Sequence, residues 1–308
     1  MTRCKRIVPP ALVVAAACAL GAPSAQAAFP GVNGELLFMN EPSGNTRVFA
    51  VGANGKGQRR LPRSRFDAAQ PSVSPDGRRI VFQAFRNGPR PELWVMDANG
   101  RNEKRLTRSK LIESEPSWSR DGRKILFQGR TRLGAPADVY VMNSDGKRRR
   151  QLTNSPASDE APQFAPNGRR IVFQTNRTPG APADFAIWQM SATGTGERSL
   201  ISLPGIEGEP SFSPTGKRIA FSWQTNGLND DIYVINADGT GTPARVTNDP
   251  AFDFTPVWSP DGRSIAFLSD RDGDQDVYVL RVGGGGPFQV TRNSIRDVQL
   301  EWGARRRR

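Results

Sequence analysis

The feature that most constrains the fold is a pattern of a proline, a tight turn ending in glycine, and a short apolar run. It occurs five times: PSVSPDGRRIVF (71–82), PSWSRDGRKILF (116–127), PQFAPNGRRIVF (162–173), PSFSPTGKRIAF (210–221) and PVWSPDGRSIAF (256–267). The equivalent glycines are Gly34, Gly77, Gly122, Gly168, Gly216 and Gly262, which lie 43 to 48 residues apart. A period in the forties with several short strands per unit is typical of a β-propeller.

One unit shows how each repeat divides into four strands. From Pro116 the sequence reads as strand A (PSWS), strand B (KILFQG), strand C (DVYVMN) and strand D (RRRQLT). Asp-Gly turns join A to B and C to D, because Asp and Gly accept the backbone angles of a tight turn. We therefore expect two different faces. The A–B and C–D turns form a turn face, and the B–C and D–A loops form a loop face.

Aromatic residues recur at three positions of the repeat, which predicts a core between blades. Seventeen of the chain's 25 aromatic residues occupy them. Strand B carries Phe38, Phe82, Phe127, Phe173, Phe221 and Phe267. Strand C carries Phe49, Trp94, Tyr140, Trp188, Tyr233 and Tyr278, and strand A carries Trp118, Phe164, Phe212, Trp258 and Trp302. Such large side chains supply much of the buried area of a fold.

The two ends of the chain each hold part of one unit. The amino-terminal unit has strands B, C and D without a strand A, and VQLEWG near the carboxy terminus matches strand A alone. The last strand is therefore predicted to complete the first blade, which removes exposed sheet edges. The prediction is an all-β, six-bladed propeller over residues 28–304 with a basic tail at 305–308.

Residues 1–27 match a secretory signal. Arg3, Lys5 and Arg6 precede an apolar stretch, and the small residues Ala25-Gln26-Ala27 follow it. We expect cleavage near Ala27 and a periplasmic or secreted location. A lipoprotein anchor at Cys18 is the alternative, although the alanines before it lack the branched residue such sites usually carry.

Composition argues against most enzyme classes. The chain has no histidine, and its two cysteines, Cys4 and Cys18, both lie in the predicted signal. Histidine-dependent nucleophiles and thiol chemistry are thereby excluded. The segment DRDGDQD (270–276) resembles the start of an EF-hand loop, but position 281 is arginine where that loop needs glutamate. We predict no catalytic activity, no cofactor and no metal site.

The net charge is +13, or +10 once the three basic residues of the signal are removed (13 − 3 = 10). Such a charge in a cytosolic protein would suggest nucleic acid. For an exported chain we expect no binding of nucleic acid. An acidic polymer or an anionic lipid surface is a more suitable partner for its basic face. Basic residues fall mainly on the turn face and acids on the loop face.

A set of acids recurs just before strand A, on the loop face. Five lie three residues before the strand A proline or its equivalent, and one lies four before it. They are Glu113, Asp159, Glu207, Asp253, Asp297 and Asp67. Such a ring could bind a cation or a basic peptide, or its carboxylates could accept hydrogen bonds within their own loops. We predict it as a partner-binding site together with Trp223.

Three segments resemble the TolB-like propeller family. They are DFTPVWSPDGRSIAF at 253–267, DIYVINADG at 231–239 with its counterpart at 138–153, and SDRDGDQDVYV at 269–279. The resemblance covers about residues 29–303 and implies the fold more strongly than the function. Envelope members of the family carry an α/β domain before the propeller, whereas strand signals here begin soon after Ala27. The resemblance is therefore to the propeller module only.

The function we predict is an exported, non-catalytic, monomeric propeller that binds an envelope protein or peptide, with no transmembrane segment. The alternative is a propeller that binds or cleaves polysaccharide. Trp223 distinguishes the two, because saccharide sites usually offer an exposed aromatic side chain beside carboxylates. Exposure of Trp223 at the mouth of the channel would favour polysaccharide, and packing between blades would disfavour it.

Overall fold

The computed structural model describes residues 29–40, 46–61, 67–86, 90–177, 185–225 and 229–305. All regular elements in these ranges are β-strands. The predicted signal peptide and the end of the basic tail lie outside the described residues. Among the described residues no helix is long and apolar enough to cross a membrane.

The described strands form six antiparallel sheets of four strands, which we call blades 1 to 6. In blades 2 to 6 the strands run A, B, C, D in chain order from the centre outward. Blade 1 contains β24 (Asp297–Ala304), β1 (Asn33–Asn40), β2 (Arg47–Gly52) and β3 (Arg59–Leu61). Blade 2 contains β4 (Ala69–Val73), β5 (Arg79–Ala84), β6 (Glu92–Asp97) and β7 (Lys104–Arg105). Blade 3 contains β8 (Ile112–Trp118), β9 (Lys124–Arg130), β10 (Asp138–Asn143) and β11 (Arg150–Gln151).

The other three blades repeat this arrangement. Blade 4 contains β12 (Asp159–Phe164), β13 (Arg170–Thr175), β14 (Ala186–Ser191) and β15 (Arg198–Ile201). Blade 5 contains β16 (Ile206–Phe212), β17 (Arg218–Gln224), β18 (Asp230–Asn236) and β19 (Ala244–Arg245). Blade 6 contains β20 (Asp253–Trp258), β21 (Ser264–Ser269), β22 (Asp276–Arg281) and β23 (Phe288–Gln289). The A strands contact one another in the order β4, β8, β12, β16, β20, β24 and back to β4, which defines a closed ring.

The ring closes where the two ends of the chain pair. Strand β24 runs antiparallel to β1, with Trp302 opposite Leu36 and Glu301 opposite Leu37. The predicted six-bladed propeller and its closure are confirmed. Gly34, which the repeat assigned to a turn, lies within β1, because the A–B connection of blade 1 is the break between the two chain ends.

Aromatic and aliphatic side chains fill the space between neighbouring blades, as predicted. The strand B phenylalanines are fully buried. One cluster joins Leu126 and Val139 of blade 3 to Phe164 and Phe173 of blade 4. Five of the six strand C aromatics are half-buried. Three strand C rings stack on the strand B ring beside them, as Tyr140 does on Phe127 with 5.4 Å between ring centroids. Packing between blades thus provides the apolar core.

We predict that a chain ending at Arg296, which lacks β24, loses cooperative thermal unfolding or melts at a much lower temperature. Strand β1 would lose its inner partner, and the core beside it would lose Leu300 and Trp302. The control is a chain ending at Arg305. Thermal melting monitored by circular dichroism compares both with the full chain, and equal melting of the Arg296 chain would contradict closure by β24.

Candidate partner-binding face

The recurring acids lie on the loop face, as the repeat predicts. Each is at, or within two residues of, the start of an inner strand, where a D–A loop ends: Asp67 before β4, Glu113 in β8, Asp159 in β12, Glu207 in β16, Asp253 in β20 and Asp297 in β24. All but Asp67 are fully buried. Burial of a carboxylate is costly unless a cation or hydrogen-bond donors compensate it.

Two of these acids are compensated by arginines from the B–C loop of the same blade. Arg271 donates from Nη2 to both carboxylate oxygens of Asp253, at 2.9 and 3.0 Å. Arg177 donates from Nε to Asp159 at 3.0 Å and pairs with it again through Nη2. The Arg271 guanidinium also lies 4.8 Å from the ring centroid of Tyr278, an attractive cation–π arrangement. Each arginine therefore holds a B–C loop against the start of an inner strand.

Three of the other four acids use other partners. Glu113 accepts hydrogen bonds from Ser109 Oγ at 2.7 Å, from Thr107 Oγ1 and from Arg149 Nη1 at 3.1 Å. Glu207 accepts the backbone N–H of Leu203, the within-loop pattern considered from the sequence. Asp67 is partly exposed and pairs with Arg47. The buried acids thus fix the D–A loops, while partner binding by these residues stays a prediction.

Trp223 packs between blades rather than standing free. Its ring meets Tyr233 edge-on at 4.8 Å between centroids and joins the cluster shared by blades 4 and 5. Its indole N–H donates to the carbonyl of Pro204 at 3.1 Å. By the criterion set from the sequence, this packing disfavours a saccharide platform at Trp223.

A second recurring set, which the sequence reading missed, lies in the inner strands. One residue per strand has a left-handed backbone, with φ between 51° and 55°, at the position before the proline or its equivalent. These residues are Gln70, Glu115, Ala161, Glu209, Thr255 and Gln299. Each coincides with an irregularity in the pairing of strands A and B. Positive φ in residues other than glycine is uncommon, so sixfold recurrence indicates a required bulge.

The bulge residues link neighbouring blades by hydrogen bonds. The backbone N–H of Glu115 donates to Gln70 Oε1 at 2.8 Å, and Thr255 Oγ1 donates to Glu209 Oε1 at 3.1 Å. The N–H of Glu209 donates to Gln174 Oε1 of the preceding blade at 3.1 Å. The residue identities vary from blade to blade, so only their constant position before the proline could have revealed them in the sequence.

Two glutamates in the inner strands are fully buried and carry raised pKa values. Burial raises the pKa of Glu301 to about 8, although the N–H of Val73 donates to it and opposes the shift. Burial, with a smaller contribution from the charge of Asp230, raises the pKa of Glu209 to about 7, against the hydrogen bonds from Thr255. These groups bind protons near neutral pH in the folded chain.

Exposed apolar side chains mark the loop face. Phe85 and Leu133 follow strands β5 and β9 in B–C loops, while Ile206 and Phe252 lie where D–A loops meet inner strands; their exposed fractions are 39–70%. Two further exposed apolar residues, Val32 and Phe288, lie on the turn face. Exposed apolar groups rimmed by polar residues are typical of interaction surfaces.

Known proteins resemble this chain in sequence and in fold. Residues 187–307 match the family described as the TolB β-propeller domain. The Tol-Pal system protein TolB of Bordetella pertussis is 43% identical over 54 residues, which is 18% of this chain and 12% of that protein. The protein TolB homolog of Chlorobium luteolum is 36% identical over 72 residues, 20% of this chain and 16% of its own length.

Solved structures share the fold at low sequence identity. The crystal structure of TolB from Acinetobacter baumannii superposes with a TM-score of 0.76 at 18% identity, covering 88% of this chain and 67% of that one. A chain of the nidogen/laminin complex superposes with a TM-score of 0.68 at 12% identity, covering 87% and 98%. Such likeness shows the fold alone, because the same ring carries unrelated functions.

The fold and these matches define the class of protein as a six-bladed β-propeller. The propeller is TolB-like, and the resemblance read from the sequence motifs is confirmed.

We predict that Arg271→Ala lowers the free energy of unfolding by about 3–5 kcal/mol, because it leaves the buried Asp253 carboxylate without its cation. The matched control is Arg59→Ala, which breaks an exposed pair with Glu35 and should cost about 0–1 kcal/mol. Urea unfolding measures both. Equal effects of the two substitutions would show that the Asp253–Arg271 pair does not hold the loop face.

We also predict a pH dependence of stability from Glu301. Its folded pKa of about 8 lies above its ordinary value of 4.5, so the folded chain keeps a proton that the unfolded chain releases. The resulting stabilisation is complete below pH 4.5 and is lost as pH rises through 8, with a slope of about 1.4 kcal/mol per pH unit between them. Glu301→Gln should therefore gain stability relative to the natural chain as pH rises. Urea unfolding of both proteins between pH 4.5 and 8 tests this prediction. The same pH dependence of the unfolding free energy in both proteins would contradict it.

Proposed function

We propose that this chain is an exported, non-catalytic propeller that binds a protein or peptide partner in the cell envelope through its loop face. The family match and the TolB proteins that resemble the chain support this class of function. The pattern of residues 1–27 supports export. The alignments cover only 12–16% of those relatives, so the partner is argued from the surface of this chain.

The observation that carries the proposal is the presence of exposed apolar side chains on a face whose loops are held by buried charges. Phe85, Leu133, Ile206 and Phe252 come from four different blades or the loops before them. Two of them are phenylalanines, a residue type that is enriched in protein interfaces. Arg271 and Arg177 fix the loops beside them, which reduces the entropy lost on binding.

The acids of this face contribute in two ways under the proposal. The buried carboxylates act through the loops that they position, whereas the partly exposed Asp67 can contact a basic group of the partner directly. A suitable partner segment therefore combines apolar and basic side chains. The packing of the half-buried Trp223 against Tyr233 disfavours a saccharide platform there.

The test is crosslinking capture from an envelope extract, with a loop-face variant compared with a turn-face control. The loop-face variant is Phe85→Ser, Leu133→Ser and Phe252→Ser, and the control is Val32→Ser and Phe288→Ser. All five positions are exposed, so both variants should keep the melting temperature of the natural chain. We expect the loop-face variant alone to lose a specific partner, with at least a tenfold weaker affinity, about 1.4 kcal/mol.

Three outcomes decide the matter. Loss of the partner by the loop-face variant alone supports the proposal. Equal capture by all three proteins, or loss only with the turn-face variant, would show that the loop face is not the binding surface. Capture that depends on polysaccharide in the extract would favour the carbohydrate alternative.

A further inference from the structure

Neighbouring blades meet on the loop face at six similar junctions. At each, the start of strand C in one blade lies beside the start of strand A in the next. In five junctions a backbone N–H at or next to the strand A acid donates to a carbonyl near the start of strand C: Ala68 to Thr46, Glu113 to Pro91, Asp159 to Ala137, Glu207 to Phe185 and Asp297 to Gln275. The first residue of strand C and the strand A acid are thereby brought together.

At four of the six junctions an arginine pairs with at least one acid. At three of these, both positions are acidic and one or two arginines pair with them. Glu92 and Glu113 pair with Arg105 and Arg149, Asp159 beside Asp138 pairs with Arg177, and Asp231 and Asp253 pair with Arg245 and Arg271. Two further junctions have one acid each: Asp67, which faces Arg47, and Glu207, which lies beside Ala186.

The junction between blades 6 and 1 differs. It holds two fully buried acids, Asp276 and Asp297, and no arginine or lysine of the described chain forms an ion pair with either. Arg177 and Arg271 lie four residues after a strand B phenylalanine. The same position in blade 1 is Pro42, and the sequence of residues 41–45 contains no basic residue.

Asp297 is the unsatisfied member of this pair. Its exposed fraction is 0%, and neither carboxylate oxygen has a hydrogen-bond partner within the described residues. Its carboxylate lies against that of Asp276 and close to the side chains of Thr291 and Asn293. Asp276 is better supported, since Thr291 Oγ1 and Gln289 Nε2 each donate to it at 2.9 Å.

Two more carboxylates approach Asp276 from the B–C loop. Oxygen atoms of Asp272, Asp274 and Asp276 lie within 4.8 Å of one another. One oxygen of Asp274 is buried without a hydrogen-bond partner. Gln289 Nε2 donates to both Asp272 and Asp276, so a donor already bridges the two carboxylates. This junction thus holds four acids, whereas four of the other five junctions hold an arginine paired with an acid.

We propose that this junction binds a calcium ion through Asp272, Asp274 and Asp276, with the buried Asp297 as a neighbour of Asp276 rather than a direct ligand. Calcium takes oxygen ligands at about 2.3–2.6 Å, so two ligands of one ion are separated by at most about 5 Å. The observed limit of 4.8 Å fits this distance. Magnesium, at about 2.0–2.1 Å, demands a tighter cluster and is the poorer fit.

The proposal departs from the sequence-based prediction of no metal site, which itself stays a prediction. That expectation rested on Arg281, which occupies the position where an EF-hand loop has its final glutamate. In this propeller the additional acid comes from β24 in the next blade, 21 residues beyond Asp276, so loop spacing alone does not reveal it.

The test uses the full chain, stripped with a chelator and titrated with calcium while the melting temperature is recorded. Ion binding to the folded chain alone must raise that temperature. We expect Asp274→Asn and Asp297→Asn to weaken calcium binding by about 10- to 100-fold. The matched control is Asp138→Asn at the blade 3–blade 4 junction, where Arg177 already supplies the cation; its affinity should stay within about twofold of the natural chain.

Terbium provides a second, local readout. Tyr278 lies against Asp272, so terbium in the site should luminesce when tyrosine is excited, and calcium should displace it. Tyr278→Phe should reduce this signal while the calcium-dependent rise in melting temperature remains. Together these results would place the ion at the blade 6–blade 1 junction.

Two results would overturn the proposal. One is a melting temperature that does not respond to calcium up to about 10⁻³ M, the weak end of protein calcium sites. The other is calcium binding that Asp274→Asn and Asp297→Asn leave unchanged. If Asp297→Asn stabilises the chelator-treated chain and calcium has no effect on the natural one, Asp276 and Asp297 share a proton instead.

Discussion

The pairing of β24 with β1 is the constraint on which the rest of the structure depends. Each blade is a small sheet with two apolar faces, and neither face is buried unless another blade packs on each side. A linear array would leave two blades with one face in water. Closure by the antiparallel β24–β1 ladder gives every blade two neighbours, and it also places Asp297, Glu301 and Trp302 in an inner strand. The blade 6–blade 1 junction exists only because of this pairing.

The architecture was predictable because short local sequence motifs specify it. The Asp-Gly turns, the strand B phenylalanines and the isolated strand A motif near the carboxy terminus each specify a strand or its neighbour, and their repetition specifies the ring. The placement of the acids on the loop face follows from the same register. Gly34 shows the limit of this reasoning, since its repeat position predicts a turn although it lies within β1.

The burial of the acids and their pairing with arginines were not predictable in the same way. Burial depends on what surrounds a side chain in space, and Asp159 and Asp253 find their arginines across a hairpin. A signal was present, because Arg177 and Arg271 each follow their acid by 18 residues, but it has meaning only once strands A and B are known to pair. The left-handed residues before the prolines, such as Gln70 and Thr255, left no signal in residue type. The bulge of the inner strand requires a left-handed backbone at this position, and residues of several types adopt it here.

Both ends of the described chain emerge on the turn face. Phe29 to Val32 lead into β1 there, and the N–H of Arg305 donates to the carbonyl of Val32 at 2.8 Å as the chain leaves β24. The loop face, with its exposed apolar side chains, lies at the opposite end of the strands. A linker, label or solid support attached at Phe29 or Arg305 would therefore meet the ring at the turn face, opposite the loop face.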